Sequence, residues 1–130
     1  MVNETVVVGL SPLAWLSAQM GQATGGSLTR WLIDKGFNDP SVSSNVNGDG
    51  GWPQAIWWKL FSAPDPFRQR ATLALSELFV VSQLGLPFSW RNFAIANYWE
   101  VLETHALGNF RNLLEAVTLS SAMGTYLNMK

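Results

Sequence analysis

Asp65-Pro66-Phe67-Arg68-Gln69-Arg70-Ala71-Thr72-Leu73-Ala74-Leu75-Ser76-Glu77-Leu78-Phe79-Val80-Val81-Ser82-Gln83 is the stretch that decides the fold class. An Asp followed by Pro is a helix start, since proline's fixed φ suits the first helical position and its missing N–H is not needed there. No glycine or further proline interrupts the run until Gly85 and Pro87. Plotted at about 100° per residue, Gln69, Thr72, Ser76 and Gln83 fall together as a thin polar stripe. The opposite side is apolar except for Arg70 and Glu77, which lie on one line, two turns apart, beside Leu73, Ala74 and Val81. Charges on an apolar helix face are rarely buried without a partner. Arg70 and Glu77 are therefore expected to be buried and compensated, by each other or by a neighbouring helix. A structural ion pair is the plainer reading, and a pocket lined by the two is the functional one.

The same punctuation recurs on both sides. Ser11-Pro12 opens a helix to about Met20, closed by Gly21, and Ser27 caps Leu28 to Lys35 before Gly36. Gln54 to Phe61 forms the next helix. Beyond the deciding stretch come about Asn92 to Leu107, then Asn109 capping Phe110 to about Thr118, then a last helix from Ser120 or Ser121 through Tyr126. Only Val6–Val8 hints at a strand. The expectation is an all-α fold, an irregular multi-helix bundle of about five to seven helices, forming a single domain over residues 1–130.

Residues 37–51 read as the one long loop. Asn45-Val46-Asn47-Gly48-Asp49-Gly50 has part of the oxygen spacing of a calcium loop. Ile56 stands where a bidentate Glu is required and only one carboxylate is present, so a Gly/Asn surface turn is the better reading and no metal is expected.

Composition narrows the functional classes. In 130 residues the formal net charge is −1 and charged residues are 13%, against roughly 25% in an average soluble domain. No basic excess is available to neutralise phosphates, which argues against a nucleic-acid partner. The chain has no cysteine, so thiolate chemistry, disulfides and Cys-ligated metals are excluded. No apolar run approaches about 18 residues, so no transmembrane segment is expected. The N-terminus lacks the basic n-region of a signal peptide. Seven Trp, seven Phe and 48% apolar residues form a heavy load for so few charges. Trp52, Trp57, Trp58 and Tyr126 are candidates for an interaction surface.

The chemistry-bearing residues are sparse. His105 is the only histidine and lies on its helix with Tyr98, Val101 and Leu102, opposite Asn97, Glu100 and Thr104. A lone histidine on an apolar face is more often a bonded core residue than a base, and no nucleophile or orienting carboxylate stands beside it in sequence. With Arg70 and Glu77 it makes a candidate buried polar cluster. Arg111 and Glu115, one turn apart, read as a solvated pair. No phosphate cradle, nucleophile elbow or complete catalytic constellation is present, the catalytic residues stay unknown, and no cofactor is implied.

Three stretches carry a resemblance. They are Ala63 to Ser82, then Ala96-Asn97-Tyr98-Trp99-Glu100-Val101-Leu102, then Ala106 to Thr118 followed by Ala122-Met123-Gly124-Thr125-Tyr126-Leu127-Asn128-Met129. In order and spacing they are similar to the N-terminal part of the bacterial family called domain of unknown function 1800. Residues before about 60 match only loosely. The resemblance implies a helical, exported bacterial protein whose full-length members are several times longer. Such members continue past Met129 into a motif like Asn-Glu-Asn-Tyr-Ala-Arg-Glu, so this chain is expected to be the N-terminal fragment of a longer protein. In another branch a His-Asn-His triple occupies the positions of Ser76, Glu77 and Leu78, so a metal or acid–base role for that triple does not transfer. The family's activity is not established. The expected partners are thus the remainder of the full-length protein or a second copy. The alternative is a self-sufficient module that binds a protein or a glycan through a Trp-rich surface.

Overall fold

The computed structural model describes residues 11–128. The Val6–Val8 run, the N-terminal Met1–Thr5 and Met129 lie outside them. Eight α-helices and a short 3₁₀ turn follow one another, with no strand among the described residues. They are α1 Pro12–Met20, α2 Leu28–Asp34, α3 Ser43–Asn47, α4 Trp52–Ser62, α5 Pro66–Leu78, α6 Arg91–His105, α7 Phe110–Thr118 and α8 Ser121–Tyr126, with the 3₁₀ turn at Gln83–Gly85 between α5 and α6.

The starts follow from side-chain capping of orphan N–H groups. Ser11 accepts from the Ala14 N–H at 3.3 Å, Ser27 from Arg30 at 3.0 Å, and Asn109 from Arg111 at 2.9 Å. Asp65 stands at the N-cap position of α5 but makes no capping bond, because its carboxylate is turned inward.

The unexpected eighth helix is α3, which lies within the stretch read as a loop. Asn45 is buried there and donates its side-chain amide to the carbonyls of Gly36 and Asp39, both at 3.3 Å. Asn92 of α6, fully buried, donates to the Gly50 carbonyl at 2.8 Å. Asn45, one of the two asparagines that suggested a cation loop, therefore holds backbone to backbone, while Asn47 is exposed and accepts from the Ser89 hydroxyl at 3.4 Å.

Helix α6 is the axis of the bundle. It packs against α2, α3, α4, α5, α7 and α8, while α1 lies on α5. It also feeds two cores. Ala96 and Trp99 join Leu28, Leu32 and Ala55, flanked by Trp31, Phe37, Trp52, Ile56, Leu60 and Phe93. Tyr98 and Leu102 join Leu113, Val117, Ala122 and Met123, flanked by Leu75, Phe79 and Val81. A helix enclosed on several sides needs no single apolar stripe, and α6 has none.

Helix α5 ends at Leu78, short of the expected Gln83. Phe79, Val80 and Val81 are poor helix formers. The Phe79 carbonyl, which a further turn would have bonded, instead accepts the Tyr98 hydroxyl at 2.7 Å.

Candidate functional site

The burial expected for Arg70 and Glu77 does not hold. Both are exposed, whereas Gln69 and Thr72 of the polar stripe are buried. The face of α5 that looked solvated points inward because a polar network awaits it there. His105 is half-buried and lies away from this network, in a shallow groove with Asn97, Glu100, Val101, Thr104 and Ala116. The three residues do not form a cluster.

The buried polar cluster that exists is built from other residues. Lys59 of α4, 1% exposed, places its ammonium 2.8 Å from the Glu103 carboxylate of α6. The same ammonium donates to the carbonyls of Gly25 at 3.0 Å and Gly26 at 2.7 Å. Three acceptors thus occupy the three N–H bonds of the lysine. Gln69 donates to Glu103 at 2.7 Å and to Asp65 at 3.2 Å. Asp65, with no exposure, lies 3.2 Å from the Arg68 guanidinium. Two cations stand at the ends and two anions in the middle of the chain Lys59, Glu103, Gln69, Asp65, Arg68, with the neutral Gln69 amide bridging the carboxylates, so the charge cancels. Glu103 accepts from Lys59 and Gln69, and Asp65 accepts from Gln69 through one oxygen while the other faces the Arg68 guanidinium. The arrangement ties α4, α5, α6 and the α1–α2 turn together. Among the described residues no three His, Cys, Asp or Glu side chains group so as to hold a metal ion.

A sequence signal for this cluster existed. Lys59 is the only charge within Ile56-Trp57-Trp58-Lys59-Leu60-Phe61, one turn after buried Ala55. Glu103 falls on the line of Asn92, Ala96 and Trp99, all buried.

Two further concavities are lined by other residues of the bundle. A groove of about 520 Å³ lies between α1 and α5, lined by Trp15, Pro66, Phe67, Arg70 and Ala71. Trp15 and Phe67 meet edge to face at 6.3 Å. A smaller cavity of about 140 Å³ is lined by Trp52, Ser76, Val81, Gln83, Ile95, Tyr98 and Trp99. Burial pushes the Tyr98 phenol up to about 12 from its ordinary 10. A raised folded pKa means that the associated stability is fully present below pH 10 and is lost as pH rises toward 12. Tyrosinate absorbance should therefore show one of the two tyrosines titrating near the top of that window, and Tyr98→Phe should remove that step. A titration with no such late component would contradict the burial.

The proposed aromatic surface divides. Trp57 is 58% exposed and stacks on Phe61, 78% exposed, at 5.5 Å. Trp58, also exposed, stacks on half-buried Trp31 at 5.8 Å. Trp52 instead is half-buried and meets Trp99 edge to face at 6.2 Å, so it belongs to the core. Tyr126 is half-buried as well, and its ring fills the space that a Cβ on Gly85 would need.

Among the described residues no helix is long and apolar enough to cross a membrane. A family model described as "Protein of unknown function (DUF1800)" matches residues 5–130. The match begins far upstream of Ala63, so the opening helices share the family pattern too. No curated protein and no solved structure matches the chain.

Proposed function

The chain belongs to the DUF1800 family, and from that premise we propose that it is a helical scaffold domain of a larger exported protein, offering its α1–α5 groove as one wall of a pocket. Export and the larger context come from the family resemblance. The observation that carries the wall is the groove itself: an apolar concavity of about 520 Å³ between Trp15 and Phe67, with the exposed Arg70 at its border. A cation beside an apolar trough suits an amphipathic partner with an acidic or hydrogen-bond-accepting end. The neutral Lys59–Glu103–Gln69–Asp65–Arg68 network supplies rigidity.

Leu13, Met20, Trp57, Phe61, Leu78 and Phe110 also stand exposed. Large apolar side chains on a surface with so few charges favour association. We expect the isolated chain to self-associate in a concentration series by analytical ultracentrifugation and to bind an apolar dye. A strictly monomeric species without dye binding would overturn the scaffold reading.

That outcome would favour the second reading, an independent module using the Trp57–Phe61 and Trp58–Trp31 stacks. Flat, paired aromatic faces are what a protein or sugar surface would dock against. Trp57→Ala and Phe61→Ala would then abolish partner binding while leaving the chain folded.

A further inference from the structure

We propose that Asn47, at the end of α3, is a self-modification site, where the Gly48 amide nitrogen attacks the asparagine side chain and converts it to aspartate and isoaspartate. The inference does not depend on the α1–α5 groove. Asn47-Gly48 lies in the stretch whose oxygen spacing suggested a cation loop. Nine asparagines occur in the chain, and Asn47 alone is followed by glycine. Asn38, Asn97, Asn109, Asn112 and Asn128 are exposed as well, but Asp, Tyr, Phe, Leu and Met follow them. A side chain on the following residue shields the attacking nitrogen, and glycine has none.

Packing requires that glycine. A Cβ on Gly48 would lie 2.7 Å from the Ser44 carbonyl oxygen and 3.2 Å from the Ser44 Cα. The chain leaves the helix here, since Gly48 is extended with φ −112° and ψ −157°. Its N–H reaches the Ser44 carbonyl at 3.1 Å, an acceptor shared with the Gly50 N–H at 3.2 Å. A shared acceptor at the end of a five-residue helix holds the nitrogen less firmly than a helix interior would. Two donors from the start of α6 meet the reacting amides. The Ser89 hydroxyl donates to the Asn47 side-chain oxygen at 3.4 Å, and the Arg91 guanidinium donates to the Asn47 backbone carbonyl. Attack places negative charge on the side-chain oxygen. Loss of the Gly48 proton places it on the backbone carbonyl oxygen through the peptide link. Each donor thus stands where charge develops.

The steps balance with water as the co-reactant. The Gly48 N–H gives its proton to solvent base, and the nitrogen bonds to the Asn47 side-chain carbonyl carbon. The bond from that carbon to its amide nitrogen breaks, and ammonia leaves with a proton from water. The cyclic imide then takes up one water at either carbonyl. Opening at one gives aspartate; opening at the other gives isoaspartate, whose backbone runs through the side-chain carbon. Either product adds one negative charge to the formal −1 of the chain. Isoaspartate also inserts a methylene into the backbone between Val46 and Gly50. The carbonyls of those two residues accept the Trp90 N–H at 2.7 Å and the Asn92 amide at 2.8 Å. The insertion therefore loosens α3 from α6.

The test holds the intact, folded chain in warm neutral buffer made with H₂¹⁸O and follows it by peptide mapping. The heavy oxygen should enter at Asn47 while the other exposed asparagines stay unchanged, and a more acidic species should grow on ion exchange. Asn47→Gln, whose ring would be one atom larger and closes far more slowly, should not yield that species. Ser89→Ala and Arg91→Met, each removing one donor, should slow the conversion by roughly twofold to tenfold. The purified isoaspartate form should unfold at lower urea concentration than Asn47→Asp. Conversion no faster than at the other exposed asparagines, or a rate unchanged by both substitutions, overturns the proposal. An isoaspartate form as stable as Asn47→Asp overturns the loosening of α3.

Discussion

Replacing Lys59 by alanine is expected to destabilise the chain by about 3–5 kcal/mol, a large part of the roughly 5–15 kcal/mol that holds a typical domain together. The ammonium meets Glu103 and the carbonyls of Gly25 and Gly26, all within 3.0 Å. Its loss leaves the Glu103 carboxylate, 4% exposed, with Gln69 as its remaining partner. Two backbone carbonyls of the α1–α2 turn lose their donor at the same time. The penalty is mostly that of a stranded buried charge rather than of a missing attraction, and this distinction can be measured. Lys59→Met with Glu103 retained should be nearly as damaging as Lys59→Ala, even though the methionine fills the space. Lys59→Met combined with Glu103→Leu should recover a substantial part of the loss, since an apolar pair can replace a buried ion pair at little net cost. Urea denaturation of the four proteins gives the comparison. The effect should also survive added salt, because buried charges are weakly screened. A cost below about 1 kcal/mol for Lys59→Ala, in the range of exposed pairs, would show that water reaches the site.

The helical class was legible because helix starts are local. Ser11, Ser27 and Asn109 cap by reaching two or three residues along their own chain, and such contacts are fixed by sequence spacing. The orientation of α5 was not legible, because it is decided by a group 34 residues away in sequence. Gln69 faces inward to reach Glu103, and without that partner the apolar face would be the expected buried one. Arg70 and Glu77 then become exposed as a consequence. The same reasoning applies to α3, five residues long and too short for a periodic signal, which is held by Asn45 and by the Trp90 N–H bonded to the Val46 carbonyl. Trp52 misled for a different reason: its neighbour in α4, Trp57, is exposed, and which tryptophan turns inward depends on Trp99 of α6. Asp65 was correctly placed at a helix start, yet its carboxylate pairs with Arg68 and Gln69 rather than with the backbone. Local signals located the elements, and long-range polar partners set their faces.

Gly51→Ala is expected to be the most damaging of the glycine substitutions at the turns, costing about 2–5 kcal/mol. Gly51 begins α4 with φ of 75°, a backbone conformation that costs an L-residue roughly 1–2 kcal/mol. A Cβ there would also lie 2.4–2.6 Å from ring carbons of Phe37. That ring stacks on Trp31 at 6.1 Å and flanks the Leu28–Leu32–Ala55 core, so it cannot retreat without disturbing the packing of α2. Overpacking of this kind typically adds about 1–3 kcal/mol. Gly36 is the internal control. Its φ is 79°, nearly the same, but a Cβ at that position meets nothing within 4 Å. Gly36→Ala should therefore show the backbone cost alone, and the difference between the two variants should report the Phe37 contact. Phe37→Leu in the Gly51→Ala background should relieve part of the damage, which no purely backbone effect would allow. Chemical denaturation of Gly36→Ala, Gly51→Ala and the double variant decides the matter. Equal losses at both glycines, or no relief from Phe37→Leu, would mean that the strand of backbone before α4 shifts to accept the methyl and that the close approach to Phe37 is not a constraint on the fold.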